Sequence, residues 1–197
     1  MHRRVAVMVS IIASLSIAGA PQAFATGAGG ADNIVSAQNQ KTGASVARAK
    51  TSVAHDPGPT VTNVNQAYAH ATCTDCRTVA VAVQVVLVEG PTTDFRPTNV
   101  ALALNENCLR CATFAFARQE VLSPGRHIEI SDSAKGAIKQ IQAQISRVAS
   151  SSETFDLMTS DLDNLTQQLV AVVQGEVGRT GTTAQDDGHR QVDEHAA

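Results

Sequence analysis

The chain of 197 residues has no tryptophan and only six aromatic side chains, five Phe and one Tyr. Proteins that bind single-stranded nucleic acid stack the bases on aromatic side chains, and this chain has little material for such a platform. It also lacks an excess of positive charge, because 15 Lys and Arg stand against 18 Asp and Glu. A surface that binds the phosphate backbone needs clustered Lys and Arg. We therefore expect no nucleic-acid partner.

The motifs of common catalytic sites are missing as well. The sequence contains no His-Glu-x-x-His, no Gly-x-Ser-x-Gly and no glycine-rich phosphate loop. Such motifs bring a nucleophile, a base or a metal ligand into reach of a substrate. Without them, the sequence favours a protein that is not an enzyme.

The first 25 residues have the pattern of a secretory signal peptide. Met1-His-Arg-Arg is a short positive start, residues 5–20 are apolar, and Ala23-Phe24-Ala25 places small residues where a signal peptidase reads them. The most apolar later segment, Val79–Val88, is too short to cross a membrane. We predict a signal peptide over residues 1–25 and a secreted or extracytoplasmic protein without a membrane span after cleavage.

The rest of the chain changes character along its length. Residues 26–32 are rich in Gly and Ala and predict a flexible linker, whereas residues 175–197 are polar and predict a disordered tail. Residues 33–122 alternate with a period of two, which is typical of strands. Residues 131–174 carry two apolar stripes of helical spacing, separated near Ser150. They predict two amphipathic helices, or one long helix that is kinked there.

The strand region contains an internal duplication at an offset of 35 residues. Between residues 73–87 and 108–122, eight of fifteen positions are identical, where composition alone predicts about one. Upstream, after one inserted residue, the matches continue with Asn65, Ala67 and Ala69 against Asn99, Ala101 and Ala103. Each copy has Cys-x-x-Cys between two alternating segments. A third hairpin without cysteine is predicted before them, with residues 34–39 and 44–53 on either side of a Lys41-Thr42-Gly43 turn.

We predict that each copy is a β-hairpin with the Cys-x-x-Cys at its turn, over residues 64–88 and 98–122. With the cysteine-free hairpin, residues 33–122 would form an antiparallel meander sheet of about six strands. The predicted fold is therefore α+β, with this sheet followed by two amphipathic helices.

The alternation puts small and large side chains on opposite faces of the predicted sheet. One face would carry Val, Leu and Phe, and the other would carry alanine. The predicted alanine face consists of Ala47, Ala49, Ala67, Ala69, Ala80, Ala82, Ala101, Ala103, Ala115 and Ala117. Alanine is depleted in strands because it packs little surface. A face made of alanine predicts that something approaches the sheet closely.

The four cysteines, Cys73, Cys76, Cys108 and Cys111, are the residues that carry the chemistry of this chain. In a meander their two turns lie at one end of the sheet, which puts the four sulfur atoms within roughly 10 Å of one another. An exported protein meets oxidising conditions, and a Cys-x-x-Cys turn already satisfies the Cα distance of a disulfide. We expect disulfides, with a local staple in each turn favoured.

Three alternatives for the cysteines stay open. Cys76 and Cys108 could pair between hairpins, since they would lie on neighbouring strands. All four thiolates could bind one zinc ion tetrahedrally. One pair could instead be redox-active, with Arg77 and Arg110 near enough to favour thiolates.

Histidines give weaker indications. His70 precedes the first cysteine pair on a predicted strand and is a candidate for an extra ligand, although a half-exposed strand histidine is the simpler interpretation. His127 stands alone beside the apolar Ile128, so that no site is predicted there.

The duplicated pattern at residues 65–84 and 99–119 resembles an uncharacterised bacterial family of exported proteins with Cys-x-x-Cys repeats. Similar segments form the extracytoplasmic part of peptide zinc metalloprotease membrane proteins. The resemblance covers roughly residues 33–173. It implies association with such a protease system, whose own chemistry would require a His-Glu-x-x-His segment that this chain lacks.

Together these patterns predict an exported, non-catalytic structural or binding module stabilised by its cysteine-bearing turns, with no cofactor. The alternative is a zinc-binding or thiol-redox accessory protein associated with an exported or membrane protease system. The sequence leaves a protein partner open. The apolar stripes of the C-terminal helices also offer a seam for an oligomer.

Overall fold

The computed structural model describes residues 31–179 and 185–196. The predicted signal peptide lies outside these residues, as does most of the predicted linker. The described strands are β1 (Asn33–Asn39), β2 (Ser45–Asp56), β3 (Thr60–Val61), β4 (Val64–Ala71), β5 (Arg77–Val88), β6 (Asp94–Phe95), β7 (Thr98–Asn105), β8 (Ala112–Ser123) and β9 (Gln185–Ala196). The helices are α1 (Asp132–Ala149) and α2 (Phe155–Arg179).

Neighbouring strands come from different copies of the repeat. Sheet A has the order β1-β4-β7, sheet B has the order β2-β5-β8-β9, and sheet C consists of β3 and β6. All pairs among β1 to β8 are parallel, and β9 lies antiparallel to β8. The α+β class holds, but the predicted antiparallel meander of about six strands is wrong. The segments 64–88 and 98–122 are not hairpins, because their two long strands belong to different sheets.

Each copy of the repeat is one coil of a solenoid. A coil passes through a strand of sheet A, a turn and a strand of sheet B, and the next coil stacks on it in parallel. Residues that match in the duplication are therefore direct neighbours, as Asn65 is of Asn99 and Thr78 is of Thr113. Stacking of one repeated unit on the next is the arrangement of a parallel β-solenoid.

The turns between the two sheets share one backbone feature. Gly43, Asp75 and Arg110 have positive φ angles of 70°, 55° and 54°. The register of sheet B puts them at equivalent positions in the three coils. Glycine adopts this conformation without steric cost, and a short polar residue such as Asp tolerates it. In each coil, the turn leads the chain from sheet A into sheet B, and the two sheets face each other.

Sheets A and B meet across a thin layer of small side chains. This alanine layer consists of Val35, Ala37, Ala67, Ala69, Ala80, Ala82, Ala103, Ala115 and Ala117, which are all buried. What approaches the alanine face is thus the other sheet of the same solenoid. Ala47 and Ala49 were predicted for this face but lie on the opposite one, because they pair with Val79 and Val81.

The opposite face of sheet B packs against both helices. Val79, Val81, Phe114 and Phe116 lie on it and are at most 1 % exposed. They form one core with the apolar stripes of the helices, Ile138, Ile141 and Ile145 in α1 and Met158, Leu162, Leu165 and Leu169 in α2. Two helices are present, and their apolar stripes pack in the core of the chain. Neither described helix is long and apolar enough to cross a membrane.

The two ends of the solenoid are protected differently. Residues 180–184 and 197 of the tail predicted to be disordered lie outside the described residues. In the described part, α2 continues to Arg179 and β9 covers the edge of β8. At the first coil, β2 is the edge strand of sheet B. There Arg48 and Lys50 stand where the next coil has Ala80 and Ala82. Charged side chains on an edge strand oppose pairing with another chain.

Buried amides connect the coils. The Nδ2 group of Asn33 donates to Oδ1 of Asn65 at 2.8 Å, and that of Asn65 donates to Oδ1 of Asn99 at 2.7 Å. Nε2 of Gln119 donates to Oε1 of Gln84 at 2.8 Å. Buried amides must be hydrogen-bonded, so these contacts fix the register of one coil on the next.

Candidate functional site at the cysteine-bearing turns

The two Cys-x-x-Cys turns stack on each other at one end of the solenoid. The Sγ atoms of Cys73 and Cys76 are 1.97 Å apart, and those of Cys108 and Cys111 are 1.87 Å apart. Each turn therefore holds its own pair at disulfide distance. The four sulfur atoms lie within 4.8 Å of one another. Cys73, Cys76 and Cys111 are at most 4 % exposed, whereas Cys108 is partly buried.

Between the two pairs, the sulfur atoms of Cys76 and Cys111 are 3.4 Å apart. Backbone groups close the cluster, since Sγ of Cys73 lies 3.1 Å from the carbonyl oxygen of Asn39. Sγ of Cys111 lies 2.9 Å from the carbonyl oxygen of Cys73. The sulfur atoms are thus enclosed by the turns of all three coils.

An ion pair on the surface holds one turn above the other. Nη2 of Arg110 donates to Oδ2 of Asp75 at 2.6 Å, and Nε donates to the second carboxylate oxygen. This hydrogen bond lowers the pKa of the Asp75 carboxyl despite an opposing effect of burial. The backbone adds a bond from the Asp75 amide to the carbonyl of Leu109 at 2.9 Å. These contacts join Asp75, which precedes Cys76, to the residues that precede Cys111. They hold the first Cys-x-x-Cys turn against the second.

Arg77 and Arg110 were predicted to favour thiolates, but both guanidinium groups have other partners. The Arg77 guanidinium lies 4.3 Å from the centre of the Phe155 ring, and its Nη2 donates to the carbonyl of Glu153 at 2.8 Å. Burial lowers the pKa of Arg77, while the charge of Glu153 opposes this. Arg77 thus attaches the cysteine-bearing end to the segment between the helices.

The arrangement has two chemical uses that depend on oxidation. When oxidised, each pair closes its own turn and leaves no thiolate. When reduced, the four sulfur atoms are close enough for one tetrahedral zinc ion, in which Zn–S bonds of about 2.3 Å put the sulfur atoms about 3.8 Å apart. The two sulfur atoms of each pair would have to separate from the 1.97 Å and 1.87 Å of the oxidised form, and all four already lie within 4.8 Å of one another.

The structure also brings together three residues that the sequence left apart. His55 and His127 each direct Nδ1 toward Oε1 of Glu89, at 2.5 Å and 2.7 Å. By contrast, His70, the candidate extra ligand, pairs with Glu106 at 2.8 Å. His55 and Glu89 are 34 residues apart, close to the repeat offset. Parallel stacking of the copies would have predicted their approach, but the hairpin interpretation concealed it.

A comparison of the chain with models of known protein families, with curated proteins and with solved structures found no match to any of them. The resemblance to the bacterial Cys-x-x-Cys repeat family therefore stays a prediction.

Proposed function

We propose that this protein is an exported, non-catalytic structural or binding module in which disulfides hold the turns of two stacked coils. The observation that carries the proposal is the pair of buried Cys-x-x-Cys turns, each with its sulfur atoms at disulfide distance. Both turns contain a non-glycine residue with positive φ, Asp75 or Arg110. A cross-link across such a turn removes competing turn conformations from the unfolded chain and so favours the native one.

The first coil shows what the cysteines replace. Its equivalent turn has Lys41 and Ala44 at the cysteine positions and Gly43 at the position with positive φ. Glycine supports that backbone conformation by itself. The two later coils have Asp75 and Arg110 there, and these are the coils with cysteine pairs. This correlation supports a structural role for the cysteines.

The binding half of the proposal is supported by the outer face of sheet A. Ile34, Val100 and Leu102 lie on this face and are 37 %, 38 % and 39 % exposed. Apolar side chains on an exposed sheet face are available for contact with a partner.

The mass of the intact protein before and after alkylation, measured without reductant, tests the disulfides. We expect no alkylation, and proteolytic peptides that link Cys73 to Cys76 and Cys108 to Cys111. Reduction should lower the free energy of unfolding by about 4 kcal/mol, because each small loop contributes about 2 kcal/mol. For a chain of this size the melting temperature should fall by about 10 °C, whereas a chelator should not change it.

The first coil supplies a matched control. Replacing both Cys73 and Cys76 by serine should reproduce half of the effect of reduction. Replacing Lys41 and Ala44, at the same positions of the cysteine-free turn, should leave the response to reductant unchanged. Loss of structure on chelation together with indifference to reductant would overturn the proposal.

The second candidate is a zinc-binding or thiol-redox accessory protein associated with an exported or membrane protease system. It is favoured by the separation of no more than 4.8 Å among all four sulfur atoms. For zinc, metal analysis should give one ion per chain and thiols that react only after chelation. For a redox role, a Cys73→Ser or Cys108→Ser variant should trap a mixed disulfide with a partner. Absence of both results would reject this candidate.

A further inference from the structure

Two histidines and one glutamate meet at the end of the solenoid opposite to the cysteines. His55 lies near the end of β2, Glu89 follows β5, and His127 precedes α1. From this convergence we infer that His55, Glu89 and His127 form a binding site for one divalent transition-metal ion, with Zn²⁺ as the ion that best suits the donors. The site does not involve the cysteines, and the inference is independent of their oxidation state.

The three ligand atoms point at one another. Nδ1 of His55 lies 2.5 Å from Oε1 of Glu89, and Nδ1 of His127 lies 2.7 Å from the same oxygen. The two imidazole rings have their centres 5.3 Å apart. Two imidazole nitrogens and one carboxylate oxygen are a donor set that zinc uses with a fourth, exchangeable ligand.

The geometry needs little change to accept an ion. Zinc bonds to nitrogen and oxygen of about 2.0–2.1 Å separate tetrahedral ligands by about 3.3 Å. The nitrogen-to-oxygen distances of 2.5 Å and 2.7 Å must therefore open by less than an ångström. The rings of His55 and His127 are 37 % and 70 % exposed, so that both have room to move.

Both histidines contact one carboxylate, that of Glu89. The side chain of Glu89 is 16 % exposed. Burial raises the pKa of this carboxyl, but hydrogen bonds with His55 and His127 outweigh burial, and the net pKa is lowered. An ion at this site would replace the protons of these hydrogen bonds, so that its binding should release protons.

The backbone holds the three segments together next to the ligands. The amide of Glu89 donates to the carbonyl of Asp56 at 2.8 Å, one residue from His55. The amide of Gly125 donates to the carbonyl of Val88 at 3.4 Å, which joins the third segment to β5. The side chain of Ile128 is fully buried and anchors the position next to His127. The backbone that carries the three ligands is therefore held in place, while the two exposed histidine side chains can adjust to an ion.

One side of the cluster is open. His55 and His127 lie on the wall of a groove of about 380 Å³, which is also lined by Val53, Ile128 and Ile138. The groove has space for water or another small ligand at the remaining coordination position of the ion.

The oxidised, intact protein should be titrated with Zn²⁺ by calorimetry, after a thiol assay has shown that no free cysteine is present. We expect one ion per chain at this site and a rise in melting temperature with added zinc, because an ion that binds only the folded state stabilises it. Substituted Co²⁺ should show the visible bands of a low-coordinate site without the near-ultraviolet charge-transfer band of thiolate ligands.

Variants distinguish this site from any other. His55→Ala, His127→Ala and Glu89→Gln should each weaken Zn²⁺ binding about tenfold or more. His70→Ala is the matched control, because His70 also pairs with a single glutamate, Glu106, at 2.8 Å. The His70→Ala variant should bind Zn²⁺ with an affinity within about twofold of that of the parent protein, since a pair of ligands without a third holds zinc weakly.

The inference fails if oxidised protein binds no zinc, or if binding is unchanged in all three variants while circular dichroism shows them folded. Binding that is lost equally in His70→Ala would also contradict it. Disulfide formation, measured by mass, is unaffected by any of these results. Failure here is therefore distinguishable from failure of the proposed function.

Discussion

Asn65 shows how single residues hold the coils in register. Its side chain is fully buried, and Nδ2 lies 3.1 Å from the carbonyl oxygens of both Ala82 and Arg118. Its Oδ1 accepts a hydrogen bond from Asn33 at 2.8 Å. One amide thus contacts the coil before it, the coil after it and the facing sheet. An apolar replacement would leave several buried polar groups without a partner.

We predict that Asn65→Ala lowers the free energy of unfolding by about 3 kcal/mol, since each buried group left unpaired costs about 1–3 kcal/mol. Urea unfolding followed by circular dichroism measures the change. Gln38→Ala is the control, because Gln38 is an exposed amide on the outer face of β1, and it should cost less than about 0.5 kcal/mol. Equal losses of unfolding free energy in the two variants would show that the hydrogen bonds among Asn33, Asn65 and Asn99 do not hold the coils together.

At the scale of the element, the two faces of sheet B obey different constraints. The face toward sheet A carries the alanine layer, whose members Ala80, Ala82, Ala115 and Ala117 are fully buried. The face toward the helices carries large side chains such as Phe114 and Phe116. Two sheets connected by short turns leave room only for small side chains between them. Helices pack on long side chains and tolerate more variation in size.

Ala82→Leu should therefore destabilise the protein by about 3 kcal/mol or more, because added methyl groups have no space between the sheets. Ala49→Leu, on the helix-facing side of the partly exposed β2, should change the stability by less than about 1 kcal/mol. Thermal unfolding of both variants measures the difference. A large loss for Ala49→Leu with none for Ala82→Leu would contradict the assignment of the two faces.

At the scale of the whole molecule, a solenoid has to close its ends. Coils stack by backbone hydrogen bonds, and each terminal coil presents unpaired groups to another chain. The last coil is covered by β9, where Oδ2 of Asp193 accepts a hydrogen bond from the amide of Ala103 at 2.9 Å. The carbonyl of His189 accepts from Nδ2 of Asn99 at 2.9 Å. The strand β9 thereby satisfies groups of both β7 and β8.

A variant that ends at Arg179 should associate in a concentration-dependent manner, because the edge of β8 becomes available for pairing. Sedimentation velocity over a range of concentrations tests this. A variant with Gly and Ser in place of residues 185–196 keeps the length and should associate in the same way. If both variants remain as monomeric as the parent protein, β9 does not act as a cap.

Part of this architecture was predictable from local patterns. The match of Asn65 with Asn99 and of Cys73 with Cys108 revealed the repeat, and the helical stripes around Ile141 and Leu165 revealed the two helices. The parallel order of the strands was not predictable, because a period of two is the same in parallel and antiparallel strands. The sequence prediction placed Ala49 on the wrong face of the sheet. The antiparallel order that it assumed also concealed the approach of His55 to Glu89.

The sequence by itself determined which segments extend, which coil into helices and which residues recur from copy to copy, since these follow from side-chain periodicity and identity. Only the tertiary structure decided that successive copies stack instead of folding back on themselves. The reason is that pairing in a sheet is a contact between distant segments. Its direction depends on the facing sheet and the packed helices, which no local pattern contains.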